Sequence, residues 1–183
     1  LLTHAIIQRQ KRISGFGPVL SNQDEVFSRF NHNNRVTNIA AIIAEKAGLD
    51  VNRAKLISMI LDLGILPFAH AGARGFRAAT GNAWNQAQAR MTELKMNGLR
   101  LPEEIERILS TVDNTNELSM PEAQAVLVAD ILVNKVEDVL FGIVLGYITI
   151  EQILSEISKA FDFSDLKVED LADPQRFSDV AIG

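Results

Sequence analysis

The feature that most constrains the fold of this chain is the spacing of its apolar residues. Between Val36 and Ala47 the apolar side chains recur three, four and seven positions apart, which places them on one face of a helix. A second broad apolar face runs from Arg53 to Leu63. No segment alternates apolar and polar residues as a half-buried strand does. The sequence therefore predicts an all-α fold with about six to eight helices.

Glycine, proline and capping residues mark the boundaries of these helices. Gly48 predicts the end of the first helix, and Asp50 can cap the next one. Pro67 and the glycines around it indicate a loop or a broken helix. Residues 31–34 are rich in turn formers and predict a turn at a helix start. The remaining predicted helices cover 82–96, 102–112, 123–145 and 150–161, the last two preceded by capping-box spacings at 119–122 and 149–152.

Length, charge and cysteine content limit the class of protein. The 183 residues predict one domain over residues 1–161, followed by an acidic tail or an extra helix over 162–183. A formal net charge of -5 disfavours a nucleic-acid partner. The chain has no cysteine, which excludes disulfides and thiolate metal sites and favours a cytoplasmic setting.

Membrane association is also disfavoured by the sequence. The longest apolar run, residues 139–150, is shorter than the roughly 18 to 20 residues that a membrane span needs. The first residues, Leu1 to Thr3, include no basic segment, so we expect no signal peptide.

One segment carries a motif. Residues 61–72 read Leu-Asp-Leu-Gly-Ile-Leu-Pro-Phe-Ala-His-Ala-Gly. They resemble the strip His-Asp-Leu-Gly-His-x-Pro-Phe-x-His-Ala-Gly of the deoxynucleoside triphosphate (dNTP) triphosphohydrolases, a family of the HD superfamily. The resemblance implies an HD-domain-like helical bundle. It implies that Leu61 replaces a metal-binding His, that Asp62 keeps the metal-binding Asp and that Ile65 replaces a pocket His. His70 keeps the last His of the strip, a residual catalytic candidate.

Further segments extend the resemblance over most of the chain, in the same order as in that family. Residues 35–38 are similar to Arg-x-Thr-His, whose Arg faces phosphate and whose His is the first metal ligand. Arg35 is kept there, and Asn38 replaces the ligand. The run that begins at Trp84 is similar to His-Asn-x-Gln-x-x-Arg. Trp84 displaces a His, while Asn85 and Arg90 keep the residues implied to bind substrate.

The last similar segment completes the implied metal site. Asp130 matches the final metal-ligand Asp, Asn134 replaces a Tyr that stacks on the sugar, and Asp138 keeps an Asp that contacts the sugar. A site of this family holds its metal with two imidazoles and two carboxylates. Here Asp62 and Asp130 remain, with Asn38 as a neutral oxygen donor. Such a set would hold Mg²⁺ or Mn²⁺ only weakly, so we expect no tightly bound cofactor.

The replaced residues fit one another physically. Leu61 and Ile65 are four residues apart, which puts them on one face if the helix continues that far. With an inward-pointing Trp84 they would fill the pocket with hydrocarbon. Each fully buried side chain of this kind stabilises a fold by roughly 1.5 to 3 kcal/mol. This filling is what we expect of a site that no longer catalyses.

The retained polar residues also have structural interpretations. Asp130 lies inside an apolar run, where a carboxylate needs a partner, and pairing with Arg35 or Asn38 is favoured over a metal. His70 is interpreted as a loop histidine bonded to backbone rather than as a general acid. His32 is expected at the surface.

Three functions stay open. The favoured one is a non-catalytic relative of these enzymes that binds a dNTP or a partner subunit, which is another copy of the chain or a related chain. The second is a metal-dependent phosphohydrolase of nucleotides, with Asp62 and Asp130 on the metal, His70 as acid or base, and Arg35 and Arg90 on phosphate. The third is an interaction module that binds no nucleotide.

Overall fold

The computed structural model describes residues 4–13, 27–111 and 120–160. In these ranges the chain forms eight α-helices and a short 3-10 segment, Gln10–Arg12, without a β-strand, so the predicted all-α fold is confirmed. In chain order the helices are α1 (Ala5–Arg9), α2 (Arg29–Lys46), α3 (Val51–Ile60), α4 (Ala69–Thr80), α5 (Gln86–Met96), α6 (Glu103–Thr111), α7 (Pro121–Val144) and α8 (Ile150–Ala160). Among these helices, none is long and apolar enough to cross a membrane.

The chain divides into two compact units, residues 1–137 and 138–183. The boundary predicted at residue 161 stays a prediction, while the division between the two units falls within the continuous helix α7. The tail predicted for 162–183 lies outside the described residues.

The core of the first unit is built largely between α2 and α3. Val36 and Ala40 of α2 and Ile57 and Ile60 of α3 are at most 1% exposed and belong to one apolar cluster. Helical spacing predicted an inward face at these positions. Burial of such an Ile or Val side chain contributes roughly 1.5 to 3 kcal/mol.

Two of the predicted helix starts are confirmed in detail. The Asp50 side chain accepts hydrogen bonds from two backbone N–H groups in the first turn of α3. At the start of α8 the Thr149 N–H donates to the Gln152 side chain, and the Gln152 N–H donates to the Thr149 hydroxyl. This reciprocal pair is a complete capping box. The capping box predicted at 119–122 begins outside the described residues.

Helix α2 begins earlier than its apolar pattern predicts, at Arg29. Ser28 caps it, and residues 31–34 lie inside the helix, so the predicted turn is wrong. Tertiary partners explain the difference, because the buried Asn33 amide donates to the Gln10 side chain rather than to local backbone.

The motif at 61–72 forms a turn that leads into α4. Helix α3 ends at Ile60, so Leu61 and Ile65 do not share a helix face as expected. The segment around Pro67 was predicted to be a loop or a broken helix, and the chain is helical again from Ala69.

Candidate functional site

A set of buried charged side chains connects α2 with α7. His32 is 2% exposed, so the expectation that it lies at the surface is wrong. Its Nδ1 lies 3.0 Å from an oxygen of Glu137, and its Nε2 lies 2.9 Å from an oxygen of Asp130. Glu137 accepts a further hydrogen bond from Arg35 Nη1 at 2.7 Å. Both ring nitrogens of His32 are therefore engaged by carboxylates.

A second ion pair lies close enough to act on the same histidine. Arg29 Nη1 donates to Asp62 Oδ2 at 3.2 Å, and both side chains are largely buried. Arg29 Nε is buried without a hydrogen-bond partner within the described ranges. The Asp62 charge also favours protonation of His32. We call this group the ionic cluster, and its members are Arg29, His32, Arg35, Asp62, Asp130 and Glu137.

The charges of the ionic cluster balance when His32 is protonated. Burial opposes the charged ring, but the hydrogen bonds to Asp130 and Glu137 outweigh it and raise the pKa of His32 to about 9. Burial also opposes ionisation of Glu137, yet its hydrogen bonds with His32 and Arg35 lower its pKa below the usual value. Three cationic side chains then face three carboxylates, so neutrality requires no additional ion.

A cavity of about 300 Å³ opens beside the ionic cluster, and we call it the Asp62 cavity. It brings together most of the residues that the sequence resemblance singled out. The predicted residues that line it are Leu61, Asp62, Ile65, His70, Arg90, Asp130 and Asn134.

Apolar and polar residues share the wall of this cavity. Leu61 and Ile65 are buried and contribute hydrocarbon although they lie in a turn. His70 is exposed. The Asn134 amide donates to the Asp130 backbone carbonyl at 2.9 Å, which is a bond within α7. The cavity is therefore partly acidic and partly apolar.

Five predicted site residues do not line the Asp62 cavity, and they are Asn38, Arg35, Asp138, Asn85 and Trp84. Asn38 is exposed on α2, so it neither pairs with Asp130 nor stands where a metal ligand of this cavity would. Arg35 bonds Glu137 instead of Asp130. Asp138 is exposed and belongs to the second unit.

Two residues that the resemblance assigned to substrate have structural roles. The Asn85 side chain accepts a hydrogen bond from the Gln88 N–H and caps α5. Arg90 is fully buried and donates to the Leu109 backbone carbonyl. Helix capping and carbonyl binding account for both residues without a ligand.

Trp84 lines a different cavity, so the expectation that it fills the Asp62 cavity is wrong. Its Nε1 donates to the Gly64 carbonyl at 2.9 Å, and its ring packs edge-to-face on Phe76 with the centroids 5.2 Å apart. These two contacts hold the indole in a cavity that neither Asp62 nor Asp130 lines.

Two glycines of the motif are required by packing alone. Gly64 has a φ of 76°, and a Cβ there would lie 2.4 Å from the backbone nitrogen of Arg90. A Cβ at Gly72 would lie 2.1 Å from the Pro67 carbonyl oxygen. Both approaches are too close for any side chain, so these glycines serve the fold whatever the chemistry of the motif.

The geometry does not form a ready metal site. Within the ranges that the structure describes, no group of three or more His, Asp and Glu side chains is arranged to hold a metal ion. Metal binding at Asp62 and Asp130 would have to replace the hydrogen bond between His32 and Asp130 and the ion pair between Arg29 and Asp62.

Three members of the ionic cluster were not predicted as site residues from the sequence, and they are Arg29, His32 and Glu137. A signal for two of them was present, because residues 29–32 read Arg-Phe-Asn-His, the spacing that was assigned to 35–38. Glu137 lies seven residues after Asp130, on the same side of α7.

In comparisons with known proteins, no family model matches the chain, and no curated protein matches its sequence. The likeness to the dNTP triphosphohydrolases therefore rests on the motifs described above and stays a prediction.

Proposed function

We propose that this chain is a non-catalytic protein of the HD type, related to the dNTP triphosphohydrolases, that acts by binding rather than by hydrolysis. One observation carries the proposal: both nitrogens of His32 are bonded to carboxylates, from Asp130 and Glu137. In a metal hydrolase an imidazole of this kind gives a lone pair to the metal. Here the protonated imidazole of His32 instead neutralises the carboxylates of Asp130 and Glu137.

The surrounding residues support the same conclusion. Asp62 is neutralised by Arg29, and Leu61 and Ile65 present hydrocarbon where the family has imidazoles. A metal that activates water needs carboxylates and imidazoles free to bind it, and a position open to the water. The carboxylates and the imidazole are not free to bind a metal here, because they already form ion pairs with one another and with arginines, and metal binding would have to break those pairs.

A partner subunit fits the arrangement better than a triphosphate. Of the two arginines that line the Asp62 cavity, Arg29 bonds Asp62, and Arg90 bonds a backbone carbonyl. A triphosphate would have to separate these pairs and would also meet two carboxylates. The volume of about 300 Å³ lies at the small end of the range for ligand pockets. We therefore propose a regulatory subunit that pairs with another copy or with a related chain.

Hydrolysis and metal content, measured on one preparation, test the proposal. The purified protein is incubated with each dNTP and with Mg²⁺ or Mn²⁺, and release of phosphate and of triphosphate is followed. The Asp62→Asn variant serves as the matched control. We expect the same background rate in both proteins and no stoichiometric transition metal. Metal-dependent turnover that Asp62→Asn removes would overturn the proposal.

A second candidate function has its own supporting observation. His32, Asp62 and Asp130 approach one another, and two of them line one cavity with His70. If residues 29–32 are the counterpart of the family's Arg-x-x-His, three of the four implied metal ligands remain. The alternative is a phosphohydrolase whose metal displaces the internal ion pairs. A metal that lowers the pKa of His32 and supports turnover would favour it.

A further inference from the structure

A second cavity, of about 590 Å³, lies between the end of α4 and the exposed face of α5, and we call it the aromatic cavity. Its volume is within the range of roughly 300 to 1,000 Å³ that small-molecule sites occupy. Phe76 and Trp84 supply its aromatic surface. It belongs entirely to the first unit and shares no lining residue with the Asp62 cavity.

The aromatic surface is held in place before any ligand arrives. The Trp84 ring is fixed at one edge by the hydrogen bond from Nε1 to the Gly64 carbonyl. Phe76 contacts it at an interplanar angle of 74°, which is the edge-to-face geometry that aromatic pairs favour. A ligand that packs against these rings would not have to order them first.

Amide side chains surround the aromatic pair. Asn82, Asn85 and Gln88 line the cavity and are exposed. The Asn85 oxygen accepts from the Gln88 N–H and the Asn82 amide nitrogen donates to the Thr80 carbonyl, but a primary amide has two N–H donors and two acceptor lone pairs, so each side chain keeps capacity for a ligand. Primary amides carry a donor and an acceptor in one plane, and this pattern matches the edge of a nucleobase. Aromatic stacking combined with amide contacts is how proteins hold unpaired bases.

The charge of the lining excludes some ligands. Glu93 is the charged side chain among the lining residues, and Arg9 neutralises it through two hydrogen bonds of 3.0 and 3.1 Å. Among the residues that the structure describes, the lining contains no Lys, Arg or His. Phosphate groups are normally held by such cations or by backbone N–H groups at a helix start. At the start of α5 the Gln88 N–H already donates to Asn85.

We propose that the aromatic cavity binds an uncharged heterocycle, a nucleobase or a nucleoside without phosphate. The rings supply the stacking surface, the amides read the edge of the heterocycle, and the lack of cations selects against the phosphorylated form. This site is separate from the ionic cluster and does not depend on any metal.

The fluorescence of Trp84 reports on this site alone, because the chain contains one Trp. The probes are adenosine, guanosine, cytidine and thymidine, each titrated in parallel with its 5′-triphosphate. We expect a saturable change with at least one nucleoside, and an affinity at least about tenfold weaker for the matching triphosphate.

Variants of exposed lining residues test the location. Thr92→Phe places a ring in the cavity, and Gln88→Ala removes one amide, so each should weaken nucleoside binding by roughly tenfold or more. Ser110→Phe is the matched control, because Ser110 is also an exposed helical hydroxyl that bonds a carbonyl of its own helix and lies outside the cavity. Its binding should equal that of the wild type.

Three results would overturn the proposal. They are the absence of a saturable response to all four nucleosides, a response that Thr92→Phe leaves unchanged, and tighter binding of the triphosphates. Thermal unfolding of Thr92→Phe, with a midpoint within a few degrees of the wild type, verifies that loss of binding reflects the site rather than the fold.

Discussion

The ionic cluster and the aromatic cavity both contact the turn at residues 61–68, but they differ in the charge and the exposure of their side chains. In the ionic cluster, charged side chains are buried and satisfy one another: His32 lies between two carboxylates, and Asp62 bonds Arg29. In the aromatic cavity, uncharged side chains remain exposed around two rings. Gly64 contacts the second region through both of its backbone polar groups, and Ile65 lines the cavity beside the first.

The difference between the two regions shows that a residue can match a family motif and still not be free to bind a metal or a substrate. Asp62 and Arg90 match a catalytic pattern but already have partners within the fold. Trp84 replaces the His of that pattern, and its ring forms part of the wall of the aromatic cavity, whose amide side chains are exposed. The ionic cluster should therefore govern stability, and the aromatic cavity should govern binding.

The strongest test of this division is removal of a buried carboxylate. Glu137→Gln deprives both His32 and Arg35 of their shared acid, and breaking a buried pair in this way costs about 3 to 5 kcal/mol. Urea unfolding measures the loss. The exposed Glu45 provides the control, since Glu45→Gln should change stability by less than about 0.5 kcal/mol. Equal small effects for both variants would show that the ionic cluster contributes nothing net.

The pH dependence of stability tests the protonation of His32. Its folded pKa of about 9 lies above the unfolded value of 6.5, so its contribution is complete below pH 6.5 and disappears as the pH rises through about 9. The total loss should be about 3 kcal/mol. For Glu137 the folded pKa is lowered, so its contribution is present above pH 4.5 and is lost in more acidic solution.

Urea unfolding at a series of pH values checks this window. His32→Gln should remove the loss of stability between pH 6.5 and 9, whereas His70→Gln, at an exposed position, should retain it. Binding of adenosine or cytidine, whose bases do not titrate between pH 6.5 and 9, should stay constant over the same range, since no His is among the described residues that line the aromatic cavity. A flat stability profile in the wild type would contradict the protonated His32.

The smallest expected effect concerns the turn that the two regions share. Gly64 and Gly48 both have positive φ, but a Cβ at Gly48 meets open space. Gly48→Ala should cost about 1 kcal/mol, the penalty of the left-handed conformation. Gly64→Ala should cost at least about 2 kcal/mol, because the backbone must also move away from Arg90.

Movement at this turn should be visible at the aromatic cavity. Gly64→Ala disturbs the carbonyl that holds Trp84, so the fluorescence of Trp84 should change, whereas Gly48→Ala should leave it unaltered. Indistinguishable unfolding free energies and spectra for the two variants would show that the turn tolerates a side chain.

Much of the fold could be predicted from the sequence because its causes are local. The apolar spacing around Val36 and Ile57 identified inward faces, and Asp50 and Thr149 identified helix starts. The start of α2 could not be predicted in this way. Its first turns are polar, and they are helical because buried partners such as Gln10 satisfy them.

The candidate site was less predictable for a related reason. The motif residues Asp62 and Asp130 do line one cavity, but they bond Arg29 and His32 in the first turn of α2. The expected partners of Asp130 were Arg35 and Asn38. The spacing Arg-x-x-polar occurs at both Arg29 and Arg35, and a local pattern cannot choose between two such copies.

By itself, the sequence determined the all-α fold, the inward faces around Val36 and Ile57, and the absence of any thiol chemistry. These properties depend on residues near one another in the chain or on composition. Only the tertiary structure decided which charges meet. His32 lies 98 positions from Asp130 and 105 positions from Glu137, and its contacts with both carboxylates raise the pKa of the imidazole. The physical reason is that a buried charge is stable only beside its partner, and the packing of α2 against α7 selects that partner.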